Sequence, residues 1–331
     1  MARLFVNQLN ENQNVTEVYR LVDKSTRPNK HGVLYMQFTL NDRTGSIGAR
    51  YWNVTEDFAN LFSDGDYVLC DGMTQRFQGN LQLIARTLKR VDPTTVNPED
   101  FLLNTSVDRE SLLNRLRELL QEVKNPSLVE LVRAFLNDDA LMTRFTRAYA
   151  GVRLHHAYPG GLMEHTVAIM EHALFVANYY PTMINRDILL VGAFLHDVGK
   201  IYEMSDDPLT PIYTNAGQAL GHPYLGVEIL TKKIAELEAQ THEVFDPQLA
   251  TLLKHMILTH HGEYQNGAAK LPSSLEALAL YYLDSLDAKL NEFKRYQWED
   301  PHTTAPWTNY IANIERKLIR TDAFLNDKSD A

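Results

Sequence analysis

A single cysteine in 331 residues, Cys70, excludes an internal disulfide framework and suits a reducing compartment, so a cytoplasmic protein is expected. Within YVLCDG it reads as a small buried hydrophobe. No stretch approaches the roughly 20 apolar residues of a membrane helix, which leaves no membrane partner. The opening MARLFVNQLNENQN lacks a basic segment followed by an apolar run, so no signal peptide is expected. Positive charge is also short. The net charge of −10 argues at first against a nucleic-acid partner. The deficit is uneven, however. Residues 1–92 hold 11 Lys+Arg against 10 Asp+Glu, and the remainder holds 21 against 32. No internal repeat is visible.

What is present divides into two patterns. Residues 1–92 read as short strands. GVLYMQFTLND (32–42) alternates Leu34, Met36, Phe38 and Leu40 on one face with Tyr35 and Gln37 on the other. DRTG (42–45) supplies turn chemistry before SIGARYW (46–52). DYVLCDGMTQRF (66–77) and LQLIARTLKRV (81–91) follow, joined by Gln78-Gly79-Asn80. Short antiparallel strands with glycine turns indicate a small β-barrel. The composition shift at 93–105 reads as a linker. Beyond it, 106–331 becomes helical: SVDRESLLNRLRELLQEV with Ser106 as N-cap, two helices at 127–136 and 140–149, helix after helix from 161 to about 292, and a last helix at 311–320.

In that helical part, histidines and aspartates recur inside apolar stretches, where such groups are normally excluded. They are His165 in GGLMEHT, His196 and Asp197 in LHDVGK, His222 in LGHPYLG, His260 and His261 in LTHHG, and Asp284 in YYLDSLDAK. Imidazole and carboxylate are what borderline and hard divalent metals accept, so helices converging on a metal centre are expected within about 153–292. Asp197 ends a run too apolar for a surface helix, where an unpaired carboxylate costs several kcal/mol. His172 lies about 10 Å along the axis from His165, too far to share its ion, and His255 reads as structural. Pro223 biases His222 to a helix start, and Gly262 is a natural helix stop. Of the adjacent His260 and His261, one could face the metal and the other the substrate. Asp284 and Asp287 share a face. Asp284 is preferred as ligand, and Asp287 could orient a ligand histidine from behind.

The order His, His-Asp, distal Asp resembles the HD superfamily of metal-dependent phosphohydrolases. The added His222, His260 and His261 match its two-metal branch. The resemblance implies one ion on His165, His196, Asp197 and Asp284, and a second on His222, His260 and His261, with Asp197 between them. Asp197, Lys200 and His261 are the expected catalytic residues, Lys200 being one turn after His196 and placed to neutralise a phosphate oxygen.

The front domain, with FTLNDRTGSIGARYW, resembles the OB-fold, whose faces bind single-stranded nucleic acid by stacking and basic residues. Tyr35, Tyr51, Trp52 and Phe77, with Arg43, Arg50 and Arg76, are the candidate contacts, whereas Phe38 belongs to the core. An OB-fold followed by LHHAYPGGLMEHT, LHDVGK and LTHHG resembles the YhaM-type 3′-to-5′ exoribonucleases over nearly the whole chain. The fold class expected is therefore multidomain, β plus all-α. The activity implied is 3′-to-5′ hydrolysis of single-stranded RNA, with single-stranded DNA as an alternative substrate, to nucleoside 5′-monophosphates. His155 and His156 are carried over only as substrate-side residues. Two divalent ions are implied, manganese foremost, with Co2+, Fe2+, Ni2+, Zn2+ and Mg2+ compatible with the same ligands. The oligomeric state stays open, a homo-oligomer included. The rival reading is an HD-type phosphohydrolase of nucleotides or cyclic dinucleotides with a regulatory OB domain.

Overall fold

Period-two alternation becomes a closed five-stranded barrel in the computed structural model, which describes residues 3–77, 80–101, 108–151, 158–205, 212–298, 305–308, 310–311 and 314–326. Strands β1 (Asn14–Pro28), β2 (Leu34–Asp42), β3 (Gly45–Trp52), β4 (Tyr67–Phe77) and β5 (Asn80–Arg90) close in the order β1-β2-β3-β5-β4, with β4 back on β1. Met36, Phe38, Leu40, Ile47, Ala49, Val68 and Cys70 point inward and are at most 5% exposed. β2 to β5 are the four segments legible from alternation. β1 is harder to read, because a register shift between Val22 and Ser25 breaks its period, and Asp23 there takes a φ of +53°. A short helix, α1 (Glu56–Asn60), follows β3, capped by Thr55 and sending Ala59 into the barrel core.

The chain forms two compact units: Met1–Leu103 with Phe293–Ala331, and Asn104–Glu292. These bounds differ from a barrel ending at 92, a linker over 93–105 and a helical domain over 106–331. Phe101 is the reason at the first boundary. It is buried, its ring 4.7 Å from that of Tyr67 and under the guanidinium of Arg3, so the chain stays with the barrel beyond residue 92. The described residues of 311–320 do not form an α-helix. They form bridges, Trp307 with Ile319 and Ile311 with Arg316, and Glu315 takes a φ of +53°, which a continuous helix does not allow.

In the second unit, α2 (Arg109–Gln121) is capped by Asp108, which accepts from Glu110 and Ser111. Ser106 lies outside the described residues. Helices α3 (Pro126–Leu136), α4 (Asp139–Phe145), α5 (Gly161–Tyr179), α6 (Arg186–Leu195), α7 (Lys200–Glu203), α8 (Asn215–Thr241) and α9 (Pro247–Thr259) follow, then α10 (Leu275–Trp298). The residues of α10 from Phe293 onward, and α11 (Thr321–Asn326) beyond it, belong to the first unit. The core is centred on Phe194 of α6, whose ring meets those of Phe135 and Phe145 edge-on at 5.8 Å each. That packing fixes the end of α6, where His196 and Asp197 begin. Among the described residues no helix is long and apolar enough to cross a membrane.

Candidate metal centre

Each site residue sits where a helix starts, ends or turns inward. His196 is the residue at which α6 stops, and His260 plays the same part for α9. Gly262, with a φ of +76°, then turns the chain away, a conformation that favours glycine. In α8 a kink at Gly221 (φ +73°) restarts the helix at His222-Pro223, so His222 occupies a fresh N-terminus. His165 is on the second turn of α5, and Asp284 and Asp287 lie one turn apart on α10.

These elements bring seven side chains together. Asp197 lies at the centre, 2% exposed. Its Oδ2 is 3.5 Å from His165 Nε2 and 3.4 Å from His196 Nε2. Its Oδ1 is 3.2 Å from His222 Nε2 and 3.5 Å from His260 Nε2. Asp284 Oδ1 reaches His165 Nε2 at 3.2 Å, and His261 Nε2 lies 3.2 Å from His222 Nε2. Two groups of donors, His165 with His196 and Asp197, and His222 with His260 and His261, each lie within 4.8 Å of one another and could hold a metal ion.

The far side of each ring says what the near side offers. His196 Nδ1 is 2.7 Å from the Ala193 carbonyl and His260 Nδ1 is 2.7 Å from that of Ile257. A carbonyl only accepts, so both Nδ1 atoms carry the proton and donate it. His165 Nδ1 faces Asp287 Oδ2 at 2.7 Å and His222 Nδ1 faces Glu203 Oε1 at 3.0 Å, which fixes the same tautomer. Nε2 of His222 and of His260 therefore present lone pairs 3.3 Å apart. Two such lone pairs repel unless positive charge lies between them. Asp197 Oδ1, on the same side, is buried with no hydrogen-bond partner, an arrangement that costs free energy unless a cation satisfies it. The donor set fits a divalent ion by this test.

Charge reinforces the fit. Burial drives the Asp284 carboxyl up, but the His165 hydrogen bond and the surrounding imidazoles outweigh it and hold the group well below the usual carboxylate range. Burial likewise opposes ionisation of Asp197, and Lys200 first, then His196, reverse it. Burial pushes His165 down, whereas Asp284 and Asp287 lift it to about 9. Burial and the neighbouring His260 take His261 down to about 4. The two groups therefore differ: the carboxylates beside His165 favour positive charge there, whereas burial keeps His222, His260 and His261 neutral with lone pairs to offer.

Lys200 is buried and pairs with Asp197 Oδ2 at 2.6 Å, a closer tie to the cluster than a lysine one turn past His196 suggests from sequence. Glu203, 7% exposed, was not legible as a site residue, although KIYE continues the LHDVG run. A cleft of about 800 Å³ opens over the cluster, lined in part by Lys200, Glu203, Tyr213, His261, Tyr281 and Asp284. His255 accepts from Ser273 N–H instead, and His172 is exposed. His155 and His156 lie outside the described residues.

On the barrel, the outward faces of β2 and β3 place Tyr35 opposite Trp52, rings 4.9 Å apart. Arg50 lies over Trp52 at 5.8 Å and over Phe77 at 5.3 Å. Trp52 and Phe77 are 39% and 47% exposed, enough to leave ring surface free. Three other candidates stand apart. Tyr51 has the opposite strand parity and packs on Phe58 beside the core, Arg43 covers Phe5, and Arg76 pairs with Glu11.

Comparison with known proteins agrees with both units. The chain matches the HD domain over residues 162–289 and an OB-fold nucleic acid binding domain over 21–91. It is 31% identical over 281 residues to the 3′-5′ exoribonuclease YhaM of Geobacillus sp. (strain WCH70), covering 84% of each chain. It is also 31% identical over 279 residues to the 3′-5′ exoribonuclease YhaM of Bacillus subtilis (strain 168), covering 84% of this chain and 86% of that one. With a barrel, an HD helical unit and an identity that spans both, the chain belongs to the YhaM family.

Proposed function

We propose that this chain is a metal-dependent 3′-5′ exoribonuclease that hydrolyses single-stranded RNA to nucleoside 5′-monophosphates, with single-stranded DNA as a second substrate. The observation that carries this reading is Asp197, a buried carboxylate with one oxygen toward each histidine group and one oxygen unpartnered. The 3′ polarity rests on the names of the relatives.

His165, His196, Asp197 and Asp284 would hold one divalent ion, and His222, His260 and His261, with Asp197, the other. Manganese is the first choice. Such a pair of ions would supply an activated water and charge stabilisation for phosphoryl transfer. The chain's own residues supply the surroundings. Lys200, whose side chain lines the cleft, neutralises a phosphate oxygen. His261 alone among the five imidazoles has a buried Nδ1 without a hydrogen-bond partner, and it also lines the cleft, which gives it a place on the substrate side. Tyr35, Arg50, Trp52 and Phe77 hold the strand by stacking and charge. A base-tolerant phosphodiester site needs such a module, because tethering raises the local concentration of the strand into the millimolar range and offsets repulsion by the acidic helical unit.

A 5′-labelled single strand incubated with Mn2+ should give a ladder shortening from the 3′ end. Asp197→Asn should lower that rate by about a thousandfold, in line with loss of an electrostatic anchor, while RNA binding is kept. Hydrolysis of small nucleotides alone would instead support the phosphohydrolase with a regulatory barrel.

A further inference from the structure

Four of the five clustered histidines are locked from behind, and the locks are of two kinds. His196 and His260 donate to main-chain carbonyls three residues earlier in their own helices. His165 and His222 donate to carboxylates brought from elsewhere, Asp287 on α10 and Glu203 on α7. Each prospective ion thus has one imidazole backed by a neutral carbonyl and one backed by a negative charge. A carboxylate behind a histidine raises the basicity of the ligating nitrogen and fixes its direction, which a carbonyl does less strongly.

Glu203 grips His222 twice with one atom. Its Oε1 lies 3.0 Å from His222 Nδ1 and accepts from His222 N–H at 2.9 Å. The second bond caps the helical run that restarts after the kink at Gly221. Backbone and ring of the same residue are therefore referred to one oxygen. The approach that makes this possible depends on missing side chains. A Cβ on Gly199 would lie 2.0 Å from the His222 carbonyl, and one on Gly217 would lie 2.0 Å from the Glu203 carbonyl. The α7 segment is pressed against α8 at both points. Glu203 is buried, yet among the described residues its side chain hydrogen-bonds and ion-pairs with His222 alone, while Lys200 pairs with Asp197 Oδ2 and reaches Glu203 only through its charge. A buried carboxylate is unfavourable unless something requires its charge.

We infer that Glu203 is the positioning residue of the second metal set, fixing the direction and basicity of His222 and so setting the affinity of the His222–His260–His261 group for its ion, as Asp287 does for the His165 group. This rests on the two-ion reading above. The geometry makes the two affinities separately adjustable, because the backing carboxylates lie on different helices.

The test is calorimetric titration of the chelator-treated, dialysed full chain with MnCl2, with Tm measured alongside. The wild type should take up two equivalents. In Glu203→Gln, which keeps an acceptor but removes the charge, the dissociation constant of one equivalent should rise about 10- to 100-fold while the other moves less than about threefold. Asp287→Asn should weaken the opposite equivalent, and Co2+ absorption should show different bands retained in the two variants. Should Glu203→Gln not fold, Glu203→Asp, with the charge withdrawn by one methylene, gives the same titration in smaller degree. Two unchanged equivalents in the Glu203 variant would overturn the inference and leave the two-ion reading intact. Equal weakening of both ions with a lowered Tm would also overturn it, making Glu203 part of the scaffold. A wild type that binds fewer than two ions would overturn the two-ion reading itself.

Discussion

The barrel and the helical unit bury polar groups to opposite ends. In the barrel the buried polar residues among those described are Asp42 and Thr74, and both spend themselves on the chain. Asp42 accepts from Val6 N–H, Thr44 N–H and the Thr44 hydroxyl, and Thr74 ties down the segment near Gln13. The helical unit gathers five imidazoles, four of them buried and satisfied on the far side, with near sides that converge on the buried Asp197. A polar group buried for structure exhausts its hydrogen bonds, whereas one buried for function keeps a lone pair in reserve. Arg3 Nε and Asn41 Oδ1 of the barrel unit are also buried without a partner, but they stand singly, so the convergence of unspent acceptors on one point, more than burial, separates the two units.

The largest effect expected from that contrast is metal removal. Treatment with a chelator should lower 3′-end hydrolysis by at least about a thousandfold, because the reserved lone pairs have no other use. Mn2+ should restore it. Tm of the helical unit should fall as bound ions are lost, by the mass-action term alone. Strand binding by the barrel, followed by fluorescence anisotropy, should be unaffected. If chelation abolished barrel binding and left hydrolysis intact, the contrast between the units would be reversed.

How much of this could be read from the chain depends on where the information lies. Strands β2 to β5 and most helices are legible because alternation and three-to-four spacing are local. The separated histidines and Asp197 are legible because their residue types are improbable in apolar runs. The assignment of 311–320 to helix fails because Leu318, though helical in spacing, is buried through pairing with Thr308 across ten residues. The sorting of the barrel aromatics follows strand parity: Trp52 faces out and Tyr51 in, which IGARYW reveals only once the register with β2 is known. Glu203 is harder still. A glutamate on a short helix looks solvated, and only the close approach of α7 to α8 gives it a histidine to hold.

The next effect tests the core that aims the site. Phe194→Ala removes a ring packed edge-on against Phe135 and Phe145 and should destabilise the helical unit by about 3–5 kcal/mol in urea unfolding. The barrel transition should not move. A smaller effect belongs to the outer face of the barrel. Trp52→Ala should weaken single-strand affinity by about 1–3 kcal/mol, the usual loss for one stacked base. The loss should appear as a raised KM on long strands with kcat retained. A fall in kcat at saturating strand would deny the division of labour between the units.

The smallest effect contrasts two aspartates through pH. Burial lifts Asp42 in the barrel above its ordinary 3.8, despite the Thr44 and Val6 hydrogen bonds. The Lys233 hydrogen bond, then that of Leu141 N–H, lower Asp138 at the start of α4 below the same value. The folded state therefore holds more protons than the unfolded state at Asp42 and fewer at Asp138, and the slopes of stability with pH have opposite signs. Asp138 contributes fully above about pH 4, and its contribution is lost as pH falls through the lowered folded value. The gap between wild type and Asp138→Asn, below about 1 kcal/mol for such a partly exposed pair, should widen as pH rises from 3 to 6. For Asp42→Asn the gap should narrow over the same range, because ionising the buried wild-type carboxyl costs stability that asparagine never loses. Urea unfolding of both variants at matched pH reads the two slopes directly. Parallel slopes would mean that the Asp42 hydrogen bonds outweigh its burial, and that the barrel, like the helical unit, buries carboxylates as charges.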